Sequence, residues 1–182
     1  MDTVSGDVRS KIMKSIRSRN TKPELIVRKS LFAMGYRYRV NDRRLPGSPD
    51  IVFPKYHAVI NVHGCFWHGH GCYLFKQPET REEFWKNKIE SNRRRDQAAV
   101  VSLLDDNWKV AIVWECAVRG KSHLEEIGNL ASALSDWLQC GGSYIEFSGG
   151  YSSSDSLRYE TDFYFRSVAE KPISEYRPEQ KR

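Results

Sequence analysis

Residues Ile60 to Tyr73 read Ile-Asn-Val-His-Gly-Cys-Phe-Trp-His-Gly-His-Gly-Cys-Tyr, and no other stretch constrains the chain as much. It holds three of the five histidines, two of the four cysteines and a Phe-Trp pair. A hydrophobic core has no need of that mixture, whereas ligation and proton transfer do. A strand over Ala58 to Val62 leads into it, and glycines at 64, 69 and 71 let the backbone turn sharply afterwards. Cys65, His70 and Cys72 are soft or borderline metal ligands, which leaves His63 and His68 for proton or phosphate chemistry.

The spacing Cys65-x4-His70-x-Cys72 gains a fourth donor in Cys116, just beyond the apolar strand Trp108–Trp114. Three thiolates and an imidazole suit tetrahedral zinc, and four protein ligands leave no open position, so such a site is structural. The competing reading is a set of unrelated buried thiols and a surface histidine. Cys140, beside two glycines at a helix end, reads as a free thiol. The first residues carry no apolar signal core and no run is long enough to cross a bilayer, which gives the expectation of a cytoplasmic chain, without membrane, whose clustered cysteines bind metal.

A second constellation points to hydrolysis. Asp50 follows Pro49 at the start of the buried strand Asp50–Phe53, and a hairpin returns the chain through His57–Val62. That puts a carboxylate beside the polar end of the neighbouring strand. Asp50 is a hard oxygen ligand suited to Mg²⁺, with the backbone carbonyl of Val62 completing the protein's share. His68 is the candidate base for an attacking water, and His63 touches the scissile phosphate or is steered by a carboxylate, with Asp96 its expected partner. Taken singly, each histidine reads as a loop residue with a satisfied hydrogen bond, and Asp96 as a helix-surface charge among arginines.

The remaining chain supplies scaffold and positive charge. Residues 7–19 read as a short basic helix, either a solvated face or an arm laid on phosphates. Thr21-Lys-Pro-Glu24 is a capping box opening a helix to about Met34, expected to bury Leu25, Val27 or Ile26, Leu31 and Phe32. Capping alone explains Glu24. Tyr36–Val40 alternates as a strand, Thr80-Arg-Glu-Glu83 reads as a second capping box before a helix over 81–106, and Ser122–Leu138 is amphipathic. Tyr144–Phe147 and Tyr159–Phe165 read as strands around a Gly/Ser-rich linker, with the last ten or so residues disordered. The net charge of +6 gains meaning from Lys88 and Arg93–Arg95, which can hold phosphates, while Asn92 or Lys88 can meet a base edge. Phe66-Trp67 in a metal-held loop offers flat side chains that wedge between base pairs, whereas Phe84 is expected to cover the core.

These residues resemble one family. Arg9-Ser-Lys-Ile-Met13, Leu45-Pro-Gly-Ser-Pro-Asp50, His63-Gly-Cys-Phe-Trp-His68, Cys72-Tyr-Leu-Phe-Lys76, Thr80-Arg-x-x-Phe-Trp85 and Val113-Trp-Glu-Cys-Ala-Val-Arg-Gly120 are similar to segments of the very short patch repair (Vsr) DNA mismatch endonucleases. The resemblance implies an α/β, restriction-endonuclease-like single domain with a mixed central sheet flanked by helices and a structural zinc site. It implies nicking of duplex DNA 5′ of the T in T:G mismatches left by deamination of 5-methylcytosine. By position it implies Mg²⁺ at Asp50 and the Val62 carbonyl, catalytic roles for His68 and for His63 with Asp96, and a supporting one for Glu24. It places zinc on Cys65, His70, Cys72 and Cys116, intercalating aromatics at Phe66, Trp67 and Trp85, and a DNA-contacting helix at Met13. Lys88 and Asn92 match positions that read the wobble pair. Val62 stands where better-known members carry Thr, and Gly69 and Gly71 where others have His.

The expected organisation is a basic DNA-contacting segment 1–20, an endonuclease core 21–140 and an extension 141–182. The expected setting is a nucleoid-associated monomer linked functionally to a cytosine-5 methyltransferase. Two other functions fit the same residues: a non-catalytic, zinc-stabilised mismatch or damage binder, and a nicking nuclease of the same fold with broader mismatch targets.

Overall fold

The computed structural model describes residue 8, residues 19–119 and residues 123–149. The basic helix expected over 7–19, with Met13, and the strand expected over 159–165 lie outside the described residues. In chain order the elements are α1 (Lys22–Ala33), β1 (Arg39–Val40), β2 (Ile51–Phe53), β3 (Ala58–His63), α2 (Glu82–Asp105), β4 (Lys109–Trp114), α3 (His123–Cys140) and β5 (Tyr144–Phe147). The strands form one sheet in the order β1-β2-β3-β4-β5. β1/β2 and β2/β3 pair antiparallel, while β3/β4 and β4/β5 pair parallel. The hairpin expected from Asp50 to Val62 is thus present, and α2 serves as the crossover between the parallel strands β3 and β4.

The sheet is buried on both faces. On one, Ala58, Ile60 and Val62 pack with Ile51, Phe53 and Val113 against Val27 and Leu31 of α1 and Leu134 and Trp137 of α3. On the other, Val52, Val59 and Ile112 meet Val100 and Leu103 of α2, and Cys65 and Cys116 belong to this second cluster. Strands covered on both sides read as continuous apolar runs, as β4 does. Among the described residues no helix is long and apolar enough to cross a membrane.

α1 begins with the reciprocal capping box expected from Thr21 and Glu24, and Gly35 ends it at φ +91°. Its buried stripe differs from expectation. Glu24, Val27, Arg28 and Leu31 are buried, at the i, i+3, i+4, i+7 spacing of one helical face. Leu25 and Phe32 lie one residue out of that phase and are 40% and 55% exposed. The Arg37 guanidinium lies over the Phe32 ring, 4.2 Å from its centroid. The expected strand at 36–40 shortens to β1 because Tyr36 turns inward, where its hydroxyl meets Ser135 Oγ at 2.7 Å.

The second capping box does not form. α2 starts after Arg81, which sits in the left-handed region at φ +56° with no side-chain cap, so Thr80 is one residue too early to cap. Phe84, expected over the core, is 55% exposed on the first turn and meets Trp85 edge to face. Cys140 is exposed at the end of α3, as a free thiol would be.

Candidate active site and metal centre

β2 and β3 place two reactive groups side by side through their pairing. Ile51 lies opposite Ile60, so Asp50 and Asn61 extend that register beyond the last paired residues of β2. Asp50 Oδ2 accepts the Val62 N–H at 2.8 Å, which ties the carboxylate to the next strand. Burial pushes the Asp50 carboxyl up to about 6; the Val62 N–H and the Arg28 charge oppose this, and the Glu24 charge adds to it.

β3 ends at His63, after which Gly64 opens the loop that carries Phe66, Trp67 and His68. The His63 and His68 rings stack face to face, centroids 4.0 Å apart and 4° from parallel. His68 Nδ1 lies 2.5 Å from Asp96 Oδ2 on α2. Asp96 therefore hydrogen-bonds His68, not His63 as the sequence suggested; ligand atoms of all three still lie within 4.8 Å of one another. Burial and the neighbouring His68 pull the His63 pKa down to about 3, against the attraction of Asp96, so this ring is neutral near pH 7. The Asp96 bond fixes His68 in the tautomer that carries hydrogen on Nδ1, leaving Nε2 free to accept a proton.

Asp50, Val62, His63, His68 and Asp96 line one open cleft of about 1140 Å³. Arg19, Lys22, Lys88 and Arg95 supply positive charge along its wall, as a groove for a polyanion requires. Glu24 also lines it, but its carboxylate is occupied: Oε2 takes the Asn20 N–H and Arg28, and Oε1 takes the N–H and hydroxyl of Thr21. Its visible work is capping and ion pairing. Asn92 is buried, and its Nδ2 donates to the Trp67 carbonyl at 2.8 Å while its Oδ1 accepts from Arg95. That amide is committed to holding the loop, whereas Lys88 is exposed at the cleft.

The expected aromatics come together. Phe66 meets Trp67 and Trp85 at centroid distances of 5.3 and 5.2 Å, and Trp67 meets Trp85 at 5.9 Å. The loop needs one of its glycines: Gly69 has φ +64°, and a Cβ there would lie 2.7 Å from Ile89 of α2.

Cys65, His70, Cys72 and Cys116 place their ligand atoms within 4.8 Å of one another and can hold a metal ion. Cys116 Sγ lies 3.6 Å from His70 Nδ1 and accepts the Gly149 N–H at 3.1 Å. Hydrogen bonds from Cys65 and Gly149 hold the Cys116 thiol pKa down, and the same Cys65 contact, with burial, holds Cys65 up. The His70 ring stacks on the Trp114 indole at 4.3 Å, and the other side of the site reaches the same indole, because His63 meets it edge-on at 5.4 Å. Trp114 and Arg28 carry much of this architecture and were not singled out from sequence. The Glu24-to-Arg28 spacing on one helix was the available signal for Arg28.

Comparison with known proteins identifies relatives of this chain. The profile of the DNA mismatch endonuclease Vsr family matches residues 1–74. The type II nicking enzyme V.XorIIP of Xanthomonas oryzae pv. oryzae is 47% identical over 137 residues, covering 75% of this chain and 96% of that protein. The DNA mismatch endonuclease Vsr of Escherichia coli is 47% identical over 133 residues, covering 73% of this chain and 84% of that protein. The type II nicking enzyme V.NmeAIP of Neisseria meningitidis is 44% identical over 125 residues, covering 69% and 89%. With 44–47% identity sustained across most of each relative, the chain belongs to the Vsr DNA mismatch endonuclease family.

Proposed function

We infer that this chain is a DNA mismatch nicking endonuclease and that it cuts duplex DNA 5′ of the T in T:G pairs arising from 5-methylcytosine deamination. The observation that carries the reading is the His68–Asp96 bond beside the half-buried Asp50 in a basic cleft. Binding alone has no use for an oriented imidazole facing a carboxylate of raised pKa. His68 Nε2 takes the proton of the attacking water as Asp96 stabilises the imidazolium that forms. His63, neutral and stacked on His68, donates its one N–H to a non-bridging phosphate oxygen. The fold is of the restriction-endonuclease type, with its site at the β2–β3 hairpin.

Asp50, with Oδ2 steered by Val62 N–H, and the Val62 carbonyl would hold Mg²⁺, which supplies polarisation of the phosphate and neutralises the departing oxygen. Only the carbonyl is asked of Val62, so a Thr hydroxyl is not required. Cys65, His70, Cys72 and Cys116 would hold structural zinc. A tetrahedron of Zn–S and Zn–N bonds has ligand–ligand edges of ~3.4–3.8 Å, and the 3.6 Å between Cys116 Sγ and His70 Nδ1 fits that edge. Phe66, Trp67 and Trp85 are the wedge that unstacks the mismatch, Lys88 reaches the base edge or its phosphate, and residues 1–20 with Met13 lie on the DNA as a basic arm. The enzyme works as a monomer downstream of a cytosine-5 methyltransferase. The test is a panel of mismatched duplexes with cut positions mapped. T:G should be nicked on the T strand, and Asp50→Ala and His68→Ala should each abolish it; retained nicking in both ends the reading.

A further inference from the structure

A buried arginine sits behind the cleft, and the chemistry above gives it no part. The Arg28 residue is 6% exposed. Its Nη1 donates to Asn20 Oδ1 at 2.6 Å, and its Nη2 donates to Glu24 Oε2 at 3.0 Å and to the Asp50 carbonyl at 3.1 Å. Nε has no partner among the described residues. Burying a guanidinium is costly, and a buried ion pair is often no more stabilising than apolar side chains of the same volume. Helix capping does not explain it, because Glu24 already receives three donors from Asn20 and Thr21.

What Arg28 adds is a side-chain grip on the Asp50 peptide oxygen. That residue precedes β2, and among the described residues its carbonyl otherwise accepts the Asn41 N–H, at 3.4 Å. The Val62 N–H fixes one carboxylate oxygen while the guanidinium fixes the peptide oxygen, so the residue is held at two points. The Tyr38 hydroxyl, donating to the Arg28 carbonyl at 2.8 Å, ties this turn of α1 to the chain entering β1. We propose that Arg28 is a positioning residue for the reaction, a planar clamp joining α1 to the Asp50 peptide so that the carboxylate is presented to the metal at a fixed angle.

This inference rests on the nuclease reading and deepens it. The experiment measures single-turnover nicking of a T:G duplex against Mg²⁺ concentration for Arg28→Met and Arg28→Lys, alongside melting temperature and mismatch affinity without Mg²⁺. Arg28→Met should bind the mismatch within about threefold of wild type and keep its fold, while its rate falls about 10- to 100-fold, the scale of an ångström-level misplacement. Its half-saturating Mg²⁺ should rise, and Arg28→Lys, with the charge but not the fork, should recover only part of the rate. A rate and Mg²⁺ dependence within about twofold of wild type overturn the proposal, judged on Arg28→Lys if Arg28→Met does not fold. A parallel loss of rate, affinity and melting temperature overturns it too, as a structural role. Wild type that nicks no mismatched duplex would instead refute the nuclease assignment itself.

Discussion

Asn92 separates two accounts of how the aromatic loop meets DNA. If its amide holds the loop, as the 2.8 Å bond to the Trp67 carbonyl indicates, Asn92→Ala acts first on stability. The substitution strips a partner from the Trp67 carbonyl and from Arg95 at a site only 7% exposed. Leaving buried polar groups unpaired costs about 1–3 kcal/mol. For a chain of this size each kcal/mol lowers the melting temperature by about 2–4 °C, so the expected fall is about 2–12 °C. Lys88→Ala, at an exposed position on the same helix, should move it by no more than about 2 °C. The assay is a thermal melt of both variants, followed by affinity for T:G, other mismatches and matched duplex. Asn92→Ala should weaken binding to all mismatches together, because Trp67 is no longer held. An unchanged melting temperature with altered preference among mismatches would refute the reasoning and make Asn92 a reader of bases.

Asp96→Asn should lower single-turnover nicking by about 10²–10⁴-fold, the usual range for general acid–base catalysis, with mismatch affinity within about twofold; an active Asp96→Asn enzyme removes His68 as the base. In Mg²⁺-free buffer, Asp50 binds its proton more tightly folded than unfolded. Stability from this group is therefore present at low pH and lost as pH rises from 3.8 through about 6. Urea titrations of wild type against Asp50→Asn should expose that slope, worth up to about 3 kcal/mol, and identical slopes in the two proteins contradict it. Wild type should carry about one zinc per chain by atomic emission, and Cys116→Ser should lose much of it and melt earlier; full zinc content in the variant excludes Cys116 as a ligand.

The sequence made the hairpin and the cysteine cluster legible for different reasons. Asp50 to Val62 carries its own turn and alternation, and Cys65, His70 and Cys72 lie within one loop. Cys116 could be matched to them because it follows an apolar strand, and the parallel β3–β4 pairing, with His63 opposite Trp114, brings that strand end to the loop. Asp96 was found but given to the wrong histidine. The choice depends on how α2 is phased against the loop, which is set by Gly69 pressed on Ile89 and by Asn92 on Trp67. The α1 stripe was misphased because an ion pair, Glu24 with Arg28, takes positions that a periodicity search reserves for apolar residues. Thr80 failed as a cap because Arg81 takes a left-handed turn that no short-range pattern announced.

Three of the four clustered donors precede α2 and the fourth follows β4. An ion bound there staples together two stretches of chain with the whole crossover helix between them. A protease cut in the connection at 76–81 would therefore not divide the molecule. The halves would stay mated through the β3–β4 ladder and the shared ion, migrating as one species until a denaturing, chelating buffer released them.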